Sequence, residues 1–109
     1  MGEALSAKLY DEVEEAMRDV IDPEIGVNVV DLGLVYGLGW SDEDSTLLID
    51  MTLTTPECPL QDVITEQTSE VLDGVVDHFR INWVWSPPWS VARITEDGRD
   101  MMRALGFNI

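Results

Sequence analysis

Cysteine is nearly absent from this chain: one residue, Cys58, in 109. A lone thiol closes no internal disulfide, so the expected compartment is the reducing cytoplasm. Cations are scarce as well, with 6 Lys and Arg against 22 Asp and Glu and a formal net charge of −16. Such a surface repels the phosphates of nucleic acids and anionic membranes, which excludes both as partners. It leaves two readings, a strongly solvated surface or one that meets a basic protein. Histidine is down to His78, next to Asp77, where a surface position suits it better than a ligand's role. No histidine stands where it would serve Cys58 as a base, and no phosphate loop or cofactor fingerprint occurs, so an enzyme is not expected. Apolar runs stay far below the roughly 18 residues of a membrane span. Met1-Gly2-Glu3-Ala4-Leu5 has neither the basic nor the apolar segment of a signal peptide. Repeats, linkers and low-complexity tracts are missing too. A chain of this length, 45% apolar, is expected to form a single domain over residues 1–109 with a modest core.

What is present centres on Met51-Thr52-Leu53-Thr54-Thr55-Pro56-Glu57-Cys58-Pro59-Leu60. Upstream the apolar residues alternate, as in a strand; downstream they recur at helical spacing. Two prolines bracket the thiol, and proline is favoured in a helix's first turn. The stretch therefore predicts strand, tight turn and helix, with Cys58 at or near the N-cap. There it would face unpaired backbone N–H groups and the positive end of the helix dipole. Glu57 and Asp62 oppose that field by a similar amount, so the thiol is expected near the free-cysteine value of about 8.5.

The flanking pattern supplies the rest. Leu5, Leu9, Val13, Met17 and Val20 mark an amphipathic helix over 4–20, stopped by Asp22-Pro23. A loop from Asp22 to Gly33 carries three carboxylates: Asp22, Glu24 and Asp31. Asp22 reads as a turn or capping group. For Asp31, among Val30, Leu32 and Leu34, local capping and a buried hydrogen-bonding role near the site are both open. Leu34 to Trp40 and Leu47 to Leu53 alternate as two strands around the polar turn 41–45. Gly37 and Gly39 would admit a close backbone approach. Leu60, Val63, Ile64, Gln67, Val71, Leu72 and Val75 mark a second helix ending near Gly74 or Asp77. Phe79 to Ser86 follows as a third strand, reached by a right-handed parallel crossover. Ser86-Pro87-Pro88-Trp89 leaves the sheet as a rigid extended arm, and Thr95 caps a last helix closed by Gly106. The order α-β-β-α-β-α predicts an α+β fold, a two-layer α/β sandwich around a small mixed sheet of three strands.

Three stretches in register carry a family resemblance. They are Asp22-Pro23-Glu24-Ile25 with Val30-Asp31-Leu32-Gly33-Leu34-Val35-Tyr36, then Met51-Thr52-Leu53-Thr54 with Pro56-Glu57-Cys58-Pro59, then Trp85-Ser86-Pro87-Pro88-Trp89. Together they resemble the metal–sulfur cluster assembly factor family, SufT-like proteins with an iron–sulfur cluster assembly domain, over roughly residues 8 to 109. The resemblance implies a non-catalytic carrier or adaptor in iron–sulfur cluster assembly, with Cys58 at the family's functional cysteine. It implies that Asp22, Glu24 and Asp31 border the same pocket, beside Thr54 and Thr55. Its implied partners are the iron–sulfur assembly machinery and client apoproteins.

Clusters usually take four protein ligands, which one cysteine cannot supply. A cluster or iron on Cys58 would thus be shared by a homodimer or held transiently with small thiols, carboxylates or a client, and none would be permanently bound. The alternative function is an interaction module that docks clients or scaffolds through Trp85, Pro87, Pro88 and Trp89 without binding metal. Against that ridge stands an arrangement in which Trp83 and Trp85 fill the sheet face and only Trp89 is exposed.

Overall fold

The computed structural model describes residues 6–54 and 58–107, with Cys58 and Pro59 described in backbone only. Helix α1 (Ala7–Met17) opens on Ser6, whose hydroxyl accepts from the Leu9 N–H at 3.2 Å. It buries Val13 and Met17. The apolar periodicity runs on to Val20, yet the helix ends earlier. The N–H groups of Asp19 and Val20 bond back three residues, to Ala16 and Met17, tightening the chain into turns. Val20 is buried from that turn rather than from a helix.

Strands β1 (Val35–Ser41) and β2 (Thr46–Met51) form an antiparallel hairpin around the polar turn, where Ser45 sits at φ 50°. Helix α2 (Cys58–Leu72) then crosses to β3 (Phe79–Trp83), which pairs parallel to β2. The sheet order is β1-β2-β3, and helix α3 (Glu96–Ala104) closes the described chain. This is the expected mixed sheet of three strands in the order α-β-β-α-β-α.

The central strand shows why the pattern was readable. Leu47, Ile49 and Met51 are fully buried, while Asp50 between them is exposed. Across the strand pair, Asn82 donates to Asp50 at 3.2 Å on the solvated face. The apolar face meets Val13 and Met17 of α1 and Leu60, Ile64 and Leu72 of α2 in one core. The buried stripe of α2 is narrower than predicted. It follows Leu60, Ile64, Thr68 and Leu72, one residue per turn, and leaves Val63 exposed. Thr68 tolerates burial because its hydroxyl donates to the Ile64 carbonyl at 2.7 Å.

Two expectations fail for reasons of long-range packing. A Cβ at Gly37 or Gly39 would meet only ordinary contacts, 3.5 Å from Asp50 Oδ2 and 3.9 Å from Leu48 Cβ. The close approaches lie elsewhere. Gly33, at φ +76°, lies so near the Arg93 backbone that a Cβ would overlap the Arg93 carbonyl. At Gly98 a Cβ would come within 2.6 Å of the Asp31 carbonyl oxygen. The third strand also stops at Trp83, before the arm begins.

Candidate functional site

Four segments build the candidate site: the end of β2, the start of α2, the loop from Asp22 to Gly33, and the arm. Past Met51 the Thr52 N–H donates to the Leu34 carbonyl at 2.9 Å, which ties the end of β2 to the loop. Leu53 is buried, Thr54 lies in a half-buried bend, and α2 begins at Cys58. Strand and helix therefore follow in the predicted order, and the turn predicted between them, 55–57, lies outside the described residues. Thr55 and the side chain of Cys58 lie outside the described residues.

The loop is pinned to α2 by one side chain. Gln67 Oε1 accepts from the Ile21 N–H at 2.9 Å, and its Nε2 donates to the Ile21 carbonyl at 3.0 Å. The amide thus acts as a strand partner would, about two and a half turns along α2 from Cys58. Immediately after it, Asp22 turns inward and is 1% exposed. Its Oδ1 accepts from the N–H groups of Glu24 at 2.9 Å and Ile25 at 3.3 Å, the local turn predicted for it. Its carbonyl takes the Gly26 N–H at 2.7 Å, with Gly26 at φ 85°. Its Oδ2 is buried, with no hydrogen-bond partner among the described residues. An unmet buried acceptor is costly, so an oxygen left in this state suits a ligand or donor that arrives from outside. Glu24 points to solvent.

Asp31, also buried, is used differently. Its Oδ2 accepts from Asn28 Nδ2 at 2.7 Å, and its N–H donates to Asn28 Oδ1 at 2.9 Å. Its Oδ1 accepts from the Thr95 hydroxyl at 2.8 Å, and its carbonyl from the Thr95 N–H at 2.9 Å. Thr95 in turn caps α3 by accepting from the Gly98 N–H at 3.0 Å. Asp31 is therefore the joint between the loop and α3. Of the two alternatives open for it, the buried hydrogen-bonding role is the one observed. Sequence reading missed Asn28, Gln67 and Thr95 as site supports. The Asn28–Asp31 pair at i,i+3 was the one local signal: Asn28 Oδ1 takes the Asp31 N–H as a cap would, and its Nδ2 donates to the Asp31 carboxylate.

The arm folds back over the loop. Trp89 is half-buried against the core and donates Nε1–H to the Leu32 carbonyl at 2.6 Å. Tyr36 donates its hydroxyl to the Pro87 carbonyl at 2.8 Å, and the Arg93 guanidinium lies 4.3 Å from the Tyr36 ring centroid. Trp83 also packs on the core. Trp85 is 43% exposed, and Pro87 and Pro88 are exposed beside it. The arrangement with Trp89 alone exposed is thus reversed, because Trp89 has a carbonyl to reach and Trp85 has none.

Among the described residues no three His, Cys, Asp or Glu groups converge as metal ligands. One thiol position and one unmet carboxylate oxygen fall short of a four-ligand shell, so any cluster held here needs donors from elsewhere.

Comparison with known proteins accords with this geometry. Residues 10–81 match the family model described as iron–sulfur cluster assembly protein. The chain is similar to the Fe-S protein maturation auxiliary factor YitW of Bacillus subtilis, 39% identical over 75% of this chain and 81% of that one. Among solved structures it resembles a domain-of-unknown-function protein from Bacillus anthracis, with TM-score 0.78 at 33% identity, covering 93% of this chain and 94% of that one. It also resembles a Mycobacterium tuberculosis protein associated with Fe-S complex assembly and repair, with TM-score 0.52 at 58% identity, covering 98% and 93%. A cysteine at the start of α2, a carboxylate loop pinned to that helix through Gln67 and a family match across two thirds of the sequence lead to one conclusion: the chain belongs to the iron–sulfur cluster assembly protein family.

Proposed function

We propose that this protein receives, holds and hands over iron or an iron–sulfur cluster through Cys58, with Asp22 bordering the same site. At the family level its role is that of a non-catalytic factor in iron–sulfur protein assembly and maturation. The carrier reading rests on that role and on one observation, the buried Oδ2 of Asp22, without a partner among the described residues, in the loop fastened to α2. A coordinating thiol loses its proton to the metal outright, so ligation requires no prior activation of Cys58. Transient holding follows from the donor count. One thiolate and one carboxylate bind weakly enough to release, and a second copy, small thiols or a client apoprotein would complete the shell. Glu24, Thr54 and Thr55 are proposed to line the approach.

Anaerobic incubation with iron and sulfide tests this. The native chain should develop a cluster chromophore that Cys58→Ser abolishes while its circular dichroism stays native. Equal reconstitution by the Ser variant would show that Cys58 is no ligand.

A second reading is favoured by the exposure of Trp85, Pro87 and Pro88. These residues form a ridge suited to docking the assembly machinery or a client apoprotein, with Trp89 fixing the ridge from beneath. Client binding that survives Cys58→Ala and is lost in Trp85→Ala would assign docking to the arm.

A further inference from the structure

A cleft of about 330 Å³ runs between α1 and β1. Tyr10, Glu14 and Arg18 line it from the helix, and Val35, Tyr36 and Leu38 from the strand. β1 is an edge of the sheet. In an antiparallel ladder, alternate backbone groups of an edge strand point away from the partner. Among the described residues, no backbone group of 35–41 bonds outside the β1–β2 ladder. Natural edges are blunted by charge, proline or a covering element. The opposite edge follows that rule, since β3 carries Arg80, paired with Asp44 at 2.8 Å, and leads into Pro87 and Pro88. β1 reads Val35-Tyr36-Gly37-Leu38-Gly39-Trp40-Ser41, with no charge and no proline, and is half-buried throughout.

We propose that β1 and the cleft beside it dock an extended segment of a partner protein, which adds as a fourth strand and seats an uncharged, apolar side chain in the cleft. Main-chain bonds along β1 supply the attachment, and the cleft selects alternate side chains. Charge fixes the occupant's flanks. Arg18 is shared between Glu14 at 3.7 Å and Glu15 at 3.3 Å, so it offers an insert no spare cation, and Met17, Val30, Val35 and Leu38 in the lining suit an uncharged, apolar one. The chain as a whole carries −16, so the residues flanking the insert are Lys or Arg. A second copy fits less well, because two bodies of charge −16 repel. The cleft abuts the arm at Tyr36, whose hydroxyl donates to the Pro87 carbonyl at 2.8 Å.

The test uses the full chain and a synthetic peptide of alternating valine and threonine, with a central leucine and lysines at both ends. One twin has alternate amides N-methylated, and another has glutamates for lysines. In an NMR titration the lysine peptide should shift the amides of residues 36–40 and bind at least tenfold tighter than either twin. Cys58→Ser should bind it equally, and Tyr10→Ala, a solvent-exposed α1 residue, at least threefold more weakly. Absence of binding, equal binding by the methylated twin, or shifts confined to other residues would overturn the proposal. So would a dimer in sedimentation with these amides already protected, which would make a second copy the occupant.

Discussion

Asp22 and Asp31 sit in the same loop and are both buried, yet the fold treats them in opposite ways. Asp31 has a donor on each oxygen and a third bond through its carbonyl, reaching Thr95 across 64 residues. Asp22 spends one oxygen on its own turn, and its other oxygen has no donor among the described residues. The difference separates a carboxylate that holds the loop to α3 from one whose second oxygen no described residue engages. Burial alone would have ranked the two as equals; the partners distinguish them.

Four substitutions break or sharpen this contrast. Asp31→Ala should have the largest effect, about 3 kcal/mol of stability, because it strands Asn28 Nδ2 and the Thr95 hydroxyl together. Urea denaturation reads it, and a loss below about 1 kcal/mol would remove Asp31 as the joint. Thr95→Ala should cost about 2 kcal/mol, since it deletes the cap of α3 along with one arm of that joint. Combined with Asp31→Ala it should be clearly less than additive, the mark of a shared bond. Asp22→Asn keeps the turn acceptor and should change stability by no more than about 0.5 kcal/mol, while lowering iron uptake in reconstitution. A strong destabilisation with unchanged uptake would make Asp22 merely structural. Smallest of all, Arg80→Ala should stay within about 0.5 kcal/mol despite its 2.8 Å pair with Asp44, because both side chains are more than half exposed.

Much of this architecture was legible locally. The alternation of Leu47, Ile49 and Met51 marked the central strand, and the β2–α2–β3 spacing marked the parallel crossover. Thr95 and Gly106 announced the ends of α3, with Gly106 at φ 100°. The start of α2 at Cys58 followed from the prolines on either side of it in the sequence. What was not legible depends on the arm folding across the loop. Nothing near Gly33 or Gly98 in sequence says that Arg93 and Asp31 will press against them. Trp89 bonds to Leu32, 57 residues away, and Gln67 to Ile21, 46 residues away, so neither burial nor bonding could be read from a window. Helix α1 was overextended because the apolar period continues through Val20 while the backbone has already turned.

The carrier role is tested most directly by native mass spectrometry of the full chain, with and without iron and sulfide, beside Cys58→Ser. The account predicts added iron and sulfide on the native chain, on a pair of chains or with a small thiol completing the shell, and none on the Ser variant. Equal metal on both proteins, or none on the native chain, would contradict it.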